Sequence, residues 1–295
     1  MELRQLEYFM TLCEELHFTK AAEKLGISQP TLSLQIKAVE QEIGTPLFDR
    51  IGKRIALTEA GAVLLKHCRG MFQNLDNAFQ EIEELRQYQG GNVSVGVLPA
   101  ELDYRLTPLL IDFYKKFPKI RLNIFASTVE ITKQVLDNEV DLGITLLFMP
   151  DSRLVTLPLY REEYVLVVSE NHEFAHYDSI SVTQLKNIPM VMYPKQFLGR
   201  RLLEDHCQKY DFHLNVVVET TTGPSLFRFV KENIGATLQP LPLSKSLNDP
   251  ALRLIKITDD PPSREIGIIY RADKYLGFAV QKFIEAIEEN LKTSS

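Results

Sequence analysis

The chain has 295 residues, with 33 Lys and Arg against 39 Asp and Glu, giving a formal net charge of −6. A 45% hydrophobic and 24% charged composition describes a folded globular protein of two or three domains. There is no apolar run long enough for a bilayer and no secretion-type leader pattern, so a cytoplasmic location is expected, and the acidic balance argues against indiscriminate adhesion to nucleic acid.

In chain order, residues 2–15 read as a first helix with Leu3, Leu6, Phe9, Met10 and Cys13 on its inner face. Residues 18–43, FTKAAEKLGISQPTLSLQIKAVEQEI, hold two short helical patterns around a tight break. Gly26 stops the first, since glycine accepts the positive φ found just past a helix end. Ser28 suits the N-cap of the second, and Pro30 sits in its first turn, where a missing N–H does no harm. Leu32, Ile36, Val39 and Ile43 then form one apolar stripe. This is a helix-turn-helix pattern, in which the second helix turns its outer face to a DNA major groove.

With the stripe inward, Pro30, Thr31, Leu34, Lys37 and Ala38 point outward, with Ser28, Gln29, Ser33 and Gln35 at the flanks. Gln reads adenine bidentately, Ser and Thr serve phosphates or base edges, Lys neutralises phosphate, and Leu34 suits a thymine methyl. An ordinary helical hairpin with exposed polar residues is the plainer reading. Residues 44–57 then read as a short hairpin anchored by Leu47 and Phe48, with Arg50, Lys53 and Arg54 around its tip at Gly52, placed to hold the DNA backbone. Thr58 caps a helix spanning 58–89. There Leu64, Cys68, Met71, Leu75, Ala78, Ile82 and Leu85 alternate spacings of four and three, a heptad seam that Phe72 and Phe79 widen. A helix packed on its own domain is the plainer reading, but a seam running past so small a headpiece favours a homodimer, and a two-fold protein implies a two-fold operator. Gly90 and Gly91 end the helix and form a hinge.

From Asn92 the pattern alternates strand and helix, which implies α/β organisation with parallel strands. Strands are expected at 93–97, 121–126 and 140–145, with helices at 106–117 and 131–138. Two strands follow within 154–168, interrupted at 161–163. A second unit brings strands at 190–193, 214–219 and 236–238 and helices at 197–210 and 225–233. A strand at 266–270 and a helix at 276–291 return to the first unit. Ligands of such folds lie in the cleft, at strand carboxyl ends and helix N-termini. The candidate lining residues are therefore Pro99, Ala100, Glu101, Ser127 and Thr128 from the first unit, and Tyr193, Lys195, Gln196, Thr222 and Gln239 from the second. Turn and capping chemistry accounts equally well for Ser127, Thr128 and Thr222. Lys195 with Arg200 and Arg201 points to an anionic ligand, although a solvated charged face explains the arginines as well.

Cys13, Cys68 and Cys207 are far apart in sequence, without CxxC or metal spacing, and are expected as buried thiols. The six histidines lie in unrelated segments; His172 and His176 fall in a loop rather than on a metal-binding helix. Neither a phosphate-binding glycine loop nor a nucleophile elbow is present, so no catalytic residue, metal or cofactor is expected.

Leu6 and Phe9, the run 18–22, Ser28-Gln-Pro30, Leu32-Ser33, Gln35-Ile36, Glu40, Leu47-Phe-Asp-Arg50 and Leu57-Thr-Glu-Ala-Gly61 together resemble the N-terminal domain of LysR-type transcriptional regulators. The two α/β units with two crossovers resemble that family's bilobed effector domain, itself similar to periplasmic solute-binding proteins. The resemblance implies an α+β multidomain fold: a winged helix-turn-helix at 1–58, a linker helix and hinge at 59–91, and an effector domain at 92–295. Lobe I would be 92–161 with 268–295, and lobe II 162–267. It also implies a sequence-specific regulator that binds an operator duplex and a small-molecule effector and assembles as a homotetramer. Two departures stand out. Leu34 occupies a position often polar in the family, and Pro99-Ala100 stand where a Ser or Thr often grips the effector. A transporter-type solute binder or an enzyme are the rival readings of a bilobed fold.

Overall fold

The computed structural model describes residues 1–51, 54–86, 90–128, 130–148 and 150–291; for 50, 51, 54, 73, 76, 77, 80, 81 and 83–86 the backbone alone is described. Two compact units emerge: Met1–Ile82 with Asp137–Glu139, and Glu83–Leu136 with Val140–Ser295.

The first unit contains helices α1 (Leu3–Glu15), α2 (Phe18–Leu25) and α3 (Gln29–Ile43), the antiparallel hairpin β1 (Phe48–Ile51) and β2 (Arg54–Leu57), and the helix α4 (Glu59–Arg86). Gly26 closes α2 at φ +67°, and the Thr31 N–H donates to the Ser28 hydroxyl at 3.3 Å, so stop and cap stand where the residue types place them. Leu32, Ile36 and Val39 are buried, but Ile43 is exposed. The chain turns at Gly44 and seats Leu47 and Phe48 in the core instead, with the Phe48 ring 5.5 Å from that of Phe9. On α1 the inner face is Leu6, Phe9 and Leu12, with Met10 and Cys13 at its edge; Leu3, expected inside, lies in the exposed first turn. Glu40 accepts from the Leu47 N–H at 2.8 Å and the Phe48 N–H at 3.3 Å, which ties the hairpin to α3. The Gly61 N–H donates to the Thr58 hydroxyl at 3.0 Å, the expected cap of α4. A Cβ on Gly61 would stand 2.3 Å from the Leu47 carbonyl oxygen, so only glycine lets hairpin and helix approach this closely.

The second unit opens with β3 (Gly91–Val97), α5 (Pro99–Glu101), a π-helical turn (Leu102–Leu106) and α6 (Thr107–Lys116). It continues with β4 (Ile120–Ala126), α7 (Ile131–Leu136), β5 (Leu142–Leu146) and β6 (Leu154–Ser169). Short 3-10 turns at Glu173–His176 and Val182–Asn187 flank β7 (Ser179–Ile180). Then come β8 (Pro189–Met192), α8 (Leu198–Gln208), β9 (Asn215–Glu219), α9 (Gly223–Lys231), β10 (Thr237–Pro240), α10 (Leu241–Ser246), β11 (Leu252–Ile257), β12 (Ser263–Arg271) and α11 (Phe278–Leu291).

The main sheet runs β4-β3-β5-β12-β6-β11-β7, and β10 also pairs with β6. It is mixed rather than parallel throughout. β3 lies parallel to β4 and β5, whereas β12 is antiparallel to β5 and β6, and β6 antiparallel to β10 and β11. The expected interruption at 161–163 does not occur. Those polar residues pair in register with Glu265, Arg264 and Ser263 of β12, so one 16-residue strand passes through. β6 and β12 thereby serve both lobes. In lobe I, Val95, Ile144, Ile268 and Phe283 meet in one core. In lobe II, β6 alternates with period two: Leu166 and Val168 face one core, Val165 and Val167 another against Phe227.

Candidate nucleic-acid interface and ligand cleft

On α3, Gln29, Pro30, Thr31, Leu34 and Lys37 are exposed, Leu34 at 67%, while Ser33 is half-buried. The Ser28 and Thr31 hydroxyls share a 2.7 Å hydrogen bond, so both start the helix as well as bordering its outer face. Gln35 accepts from Gln5 of α1 at 3.0 Å, which holds it at the flank. Carboxylates absorb Lys24, whose ammonium meets Glu14 at 2.8 Å and Glu15 at 3.3 Å on α1. In the hairpin, Arg50 stands opposite Ile55, and Arg54 opposite Ile51. Lys53 lies outside the described residues, and the side chains of Arg50 and Arg54 are not described.

In the second unit a cavity of about 1170 Å³ opens between the lobes. Of the ten expected lining residues, Pro99, Ala100, Thr128, Tyr193, Thr222 and Gln239 line it. Leu98, Leu146, Phe197 and Phe227 give it apolar walls. Gln239 is 3% exposed and donates through Nε2 to the Thr237 hydroxyl at 3.1 Å. Burial pushes the Tyr193 phenol up to about 12, so it is a neutral hydrogen-bonding group.

The other four stand elsewhere. The Ser127 hydroxyl accepts from the Glu130 N–H at 3.3 Å and serves a turn. Gln196 is exposed, and Lys195 borders a separate hollow of about 310 Å³ with Glu204, His213 and Glu219. Arg200 is buried rather than part of a solvated face: it donates to the Tyr193 carbonyl at 3.1 Å and to Glu204 through Nε at 3.0 Å. Arg201 is exposed.

Glu101 is 0% exposed and faces inward to a charge cluster that pattern reading missed. Its carboxylate pairs with Arg264 of β12 and accepts from the hydroxyls of Tyr104, at 3.0 Å, and Tyr160. Glu162 of β6, opposite Arg264 in register, accepts from Arg264 Nη2 at 2.8 Å and Arg105 Nη2 at 2.9 Å, and shares with Glu101 the single O–H of Tyr104, 2.9 Å away. The Arg105 guanidinium also lies 4.0 Å from the Tyr160 ring centre. Burial alone would lower the Arg264 pKa, but Glu101 and its neighbours outweigh that and hold the cation well above its usual range. Burial, then the charge of Glu101, raises both Tyr104 and Tyr160. Two carboxylates thus face two guanidiniums where β6 and β12 cross between lobes, and Arg264 and Tyr104 also line the cavity. A sequence signal existed in charged residues abutting apolar strands, in REEYVLVV and SREIGIIY, but their pairing spans about a hundred residues.

Cys68 and Cys207 are buried and Cys13 partly so; burial pushes the Cys207 and Cys13 thiols up to about 12. His172 caps the 3-10 turn that ends at His176, its Nδ1 accepting from the Phe174 N–H at 3.2 Å. No helix among the described residues is long and apolar enough to cross a membrane.

Residues 3–62 match the model for bacterial regulatory helix-turn-helix proteins of the lysR family, and residues 86–292 match the LysR substrate binding domain. The HTH-type transcriptional regulator AlsR of Bacillus subtilis (strain 168) is 28% identical over 93% of this chain and 92% of its own. The DNA-binding transcriptional dual regulator OxyR of Escherichia coli (strain K12) is 25% identical over 99% and 96%. Among solved structures, full-length CbnR complexed with its target DNA shares the fold at TM-score 0.74 and 18% identity, over 98% of this chain and 99% of that one. The effector-binding domain of QuiR in complex with shikimate shares it at TM-score 0.63 and 19% identity, over 69% and 98%. With a helix-turn-helix headpiece and a bilobed substrate-binding domain both matched, the chain belongs to the LysR family and is a transcriptional regulator, not an enzyme or a transport protein.

Proposed function

We propose that this regulator reads an operator duplex with the outward face of α3 and responds to a small anionic effector held between its lobes. The observation that carries the reading is that Thr31, Leu34 and Lys37 share one exposed face over a buried Leu32–Ile36–Val39 stripe, with Gln29 exposed at the N-terminal end of the helix. Gln29, Pro30, Thr31, Ser33 and Leu34 meet base edges and Lys37 a nearby phosphate, while Ser28 caps the helix and contacts the backbone. Arg50, Lys53 and Arg54 hold the adjoining backbone. The functional divisions are headpiece 1–58, linker 59–91 and effector domain 92–295, working in the cytoplasm.

Assembly follows from α4. Leu64, Cys68 and Phe72 pack on the headpiece core, but Met71, Leu75, Phe79 and Ile82 are exposed, Phe79 at 62%. A second copy of α4 covers that stripe and pairs two headpieces, which supplies the cationic contacts one acidic chain lacks; effector domains associate further into a tetramer. The effector enters the 1170 Å³ cavity, where Pro99, Ala100, Thr128, Tyr193, Thr222 and Gln239 meet it. Peroxide sensing through a thiol, suggested by relatives described as hydrogen peroxide-inducible genes activators, is disfavoured: Cys207 is fully buried and its thiol is held near 12, far from a reactive thiolate.

Electrophoretic shift against a genomic fragment library tests the reading. Gln29→Ala should erase preference for the selected fragment, whereas Lys53→Ala should weaken cognate and random duplexes alike. Equal losses on both duplexes for Gln29→Ala would contradict the base-reading role.

A further inference from the structure

The cavity is mostly apolar, yet at its hinge end buried hydrogen-bond donors converge. Arg264 is 6% exposed and spends Nε and Nη2 on Glu162, Glu101 and the Tyr104 hydroxyl, the last at 3.2 Å. The guanidinium also hydrogen-bonds the Tyr164 hydroxyl, no described carboxylate takes its Nη1, and the side chain lines the cavity. Beside it stands Tyr164, 3% exposed, with its ring centre 5.9 Å from the Arg264 Cζ. The Tyr164 hydroxyl lies 3.1 Å from where a Cβ on Gly199 would stand, at the first turn of the 11-residue helix α8, and donates to no described acceptor. The N-cap of α8, Phe197, offers no side-chain acceptor to the first N–H groups of the helix, and Leu198, Gly199 and Arg200 line the same cavity.

A guanidinium N–H, a phenolic O–H and a helix N-terminus are all donors. Their common complement is an acceptor-only group, and a carboxylate makes the charge-assisted bonds that such donors favour. The charge count decides how it binds. At this end of the cavity Glu101 and Glu162 already match Arg264 and Arg105, so an anion bound here shares Arg264, offset by the partial positive charge of α8. Sharing is cheap on the Glu101 side, because the Tyr160 hydroxyl continues to hold that carboxylate.

We propose that Arg264 anchors the effector: the carboxylate of a small organic acid with an apolar body docks on its Nη1 edge and the Tyr164 hydroxyl. The effector thereby shares the guanidinium that binds β12 to Glu101 and Glu162. This rests on the reading that the cleft holds the effector. It adds the chemical class, the residues that select it, and the point at which occupancy reaches the crossing strands.

The test is thermal unfolding of the full chain with benzoate, phenylacetate and cyclohexanecarboxylate, each beside its neutral carboxamide, at about 10 mM so that millimolar binding registers. At least one acid should raise the transition temperature and its amide should not. Tyr164→Phe, which removes one oxygen and keeps the packing, should weaken that acid about tenfold or more, the loss expected for a hydrogen bond to a charged group. Arg264→Lys, which keeps a cation for Glu101 and Glu162, should abolish the response. Equal stabilisation by acid and amide, no response to any acid, or an undiminished response in Tyr164→Phe would overturn the anchor. A neutral compound that stabilises the protein and alters its operator complex would leave the cleft reading standing while removing the carboxylate, so the two fail separately.

Discussion

Replacing Glu162 by Gln probes the hinge cluster with little change of shape. The carboxylate accepts from Arg264 Nε at 3.1 Å and Nη2 at 2.8 Å, from Arg105 Nη2 at 2.9 Å and from Tyr104 at 2.9 Å. The amide keeps one acceptor and turns an NH2 group toward donors, leaving Glu101 alone against two guanidiniums. Breaking a buried ion pair costs ~3–5 kcal/mol. The Arg105 side chain is 19% exposed and recovers some hydration, which favours the lower end, about 3 kcal/mol. For a domain of this size each kcal/mol moves the midpoint by roughly 2–4 °C, so the effector-domain transition should fall by about 6–12 °C. Circular dichroism melts at pH 7 measure it. The double variant Glu162→Gln/Arg105→Gln restores one carboxylate against one guanidinium and should recover part of the loss. A fall under about 3 °C, or a double variant less stable than the sum of its singles, would refute the charge balance assigned to the cluster.

Two further outcomes follow from exposed and buried faces. Phe79→Glu on α4 places a charge in the proposed seam of both copies; losing about 1.5–3 kcal/mol per side chain should raise the dimer dissociation constant by roughly 10²–10⁴, read by sedimentation velocity, and an unchanged dimer would remove α4 from the interface. Cys207, with its thiol held at about 12 by burial, exposes only about 10⁻⁴ of its population as thiolate at pH 8, so it should resist iodoacetamide until the domain unfolds; labelling at the rate of a free thiol would show that the burial is wrong.

Local chemistry made the headpiece legible before its structure. Gly26, Ser28 and Thr58 each act within three or four residues of where they stand, and the Leu32–Ile36–Val39 stripe needs only helical periodicity. Ile43 escaped because a turn beyond it brought Leu47 and Phe48 to the same core. In the effector domain, the residues that follow strand ends found the cleft, since Pro99, Thr128, Tyr193 and Thr222 are placed by topology. Glu101 defeated that rule, because its partner lies 163 positions away on β12. Residues 161–163 defeated it for the same reason: polar side chains read as a turn until a distant strand supplies their partners.

The placement of that cluster bears on regulation. Loops that line a cleft can adjust to a ligand without informing the rest of the fold, but Glu162 and Arg264 face each other in an antiparallel pair whose two strands run through both lobes. Moving Arg264 between partners therefore changes an interaction that both lobes share. A hundredfold change in operator affinity requires a coupling free energy of about 2.7 kcal/mol. One hydrogen bond to a charged group contributes ~1.5–3 kcal/mol. A single guanidinium that holds Glu101 more tightly in one arrangement than in the other is thus of sufficient size to carry the signal, provided the effector binds the two arrangements with that difference. Its reach is bounded in the same way, since an effector that engaged Nη1 equally in both would bind tightly and change nothing.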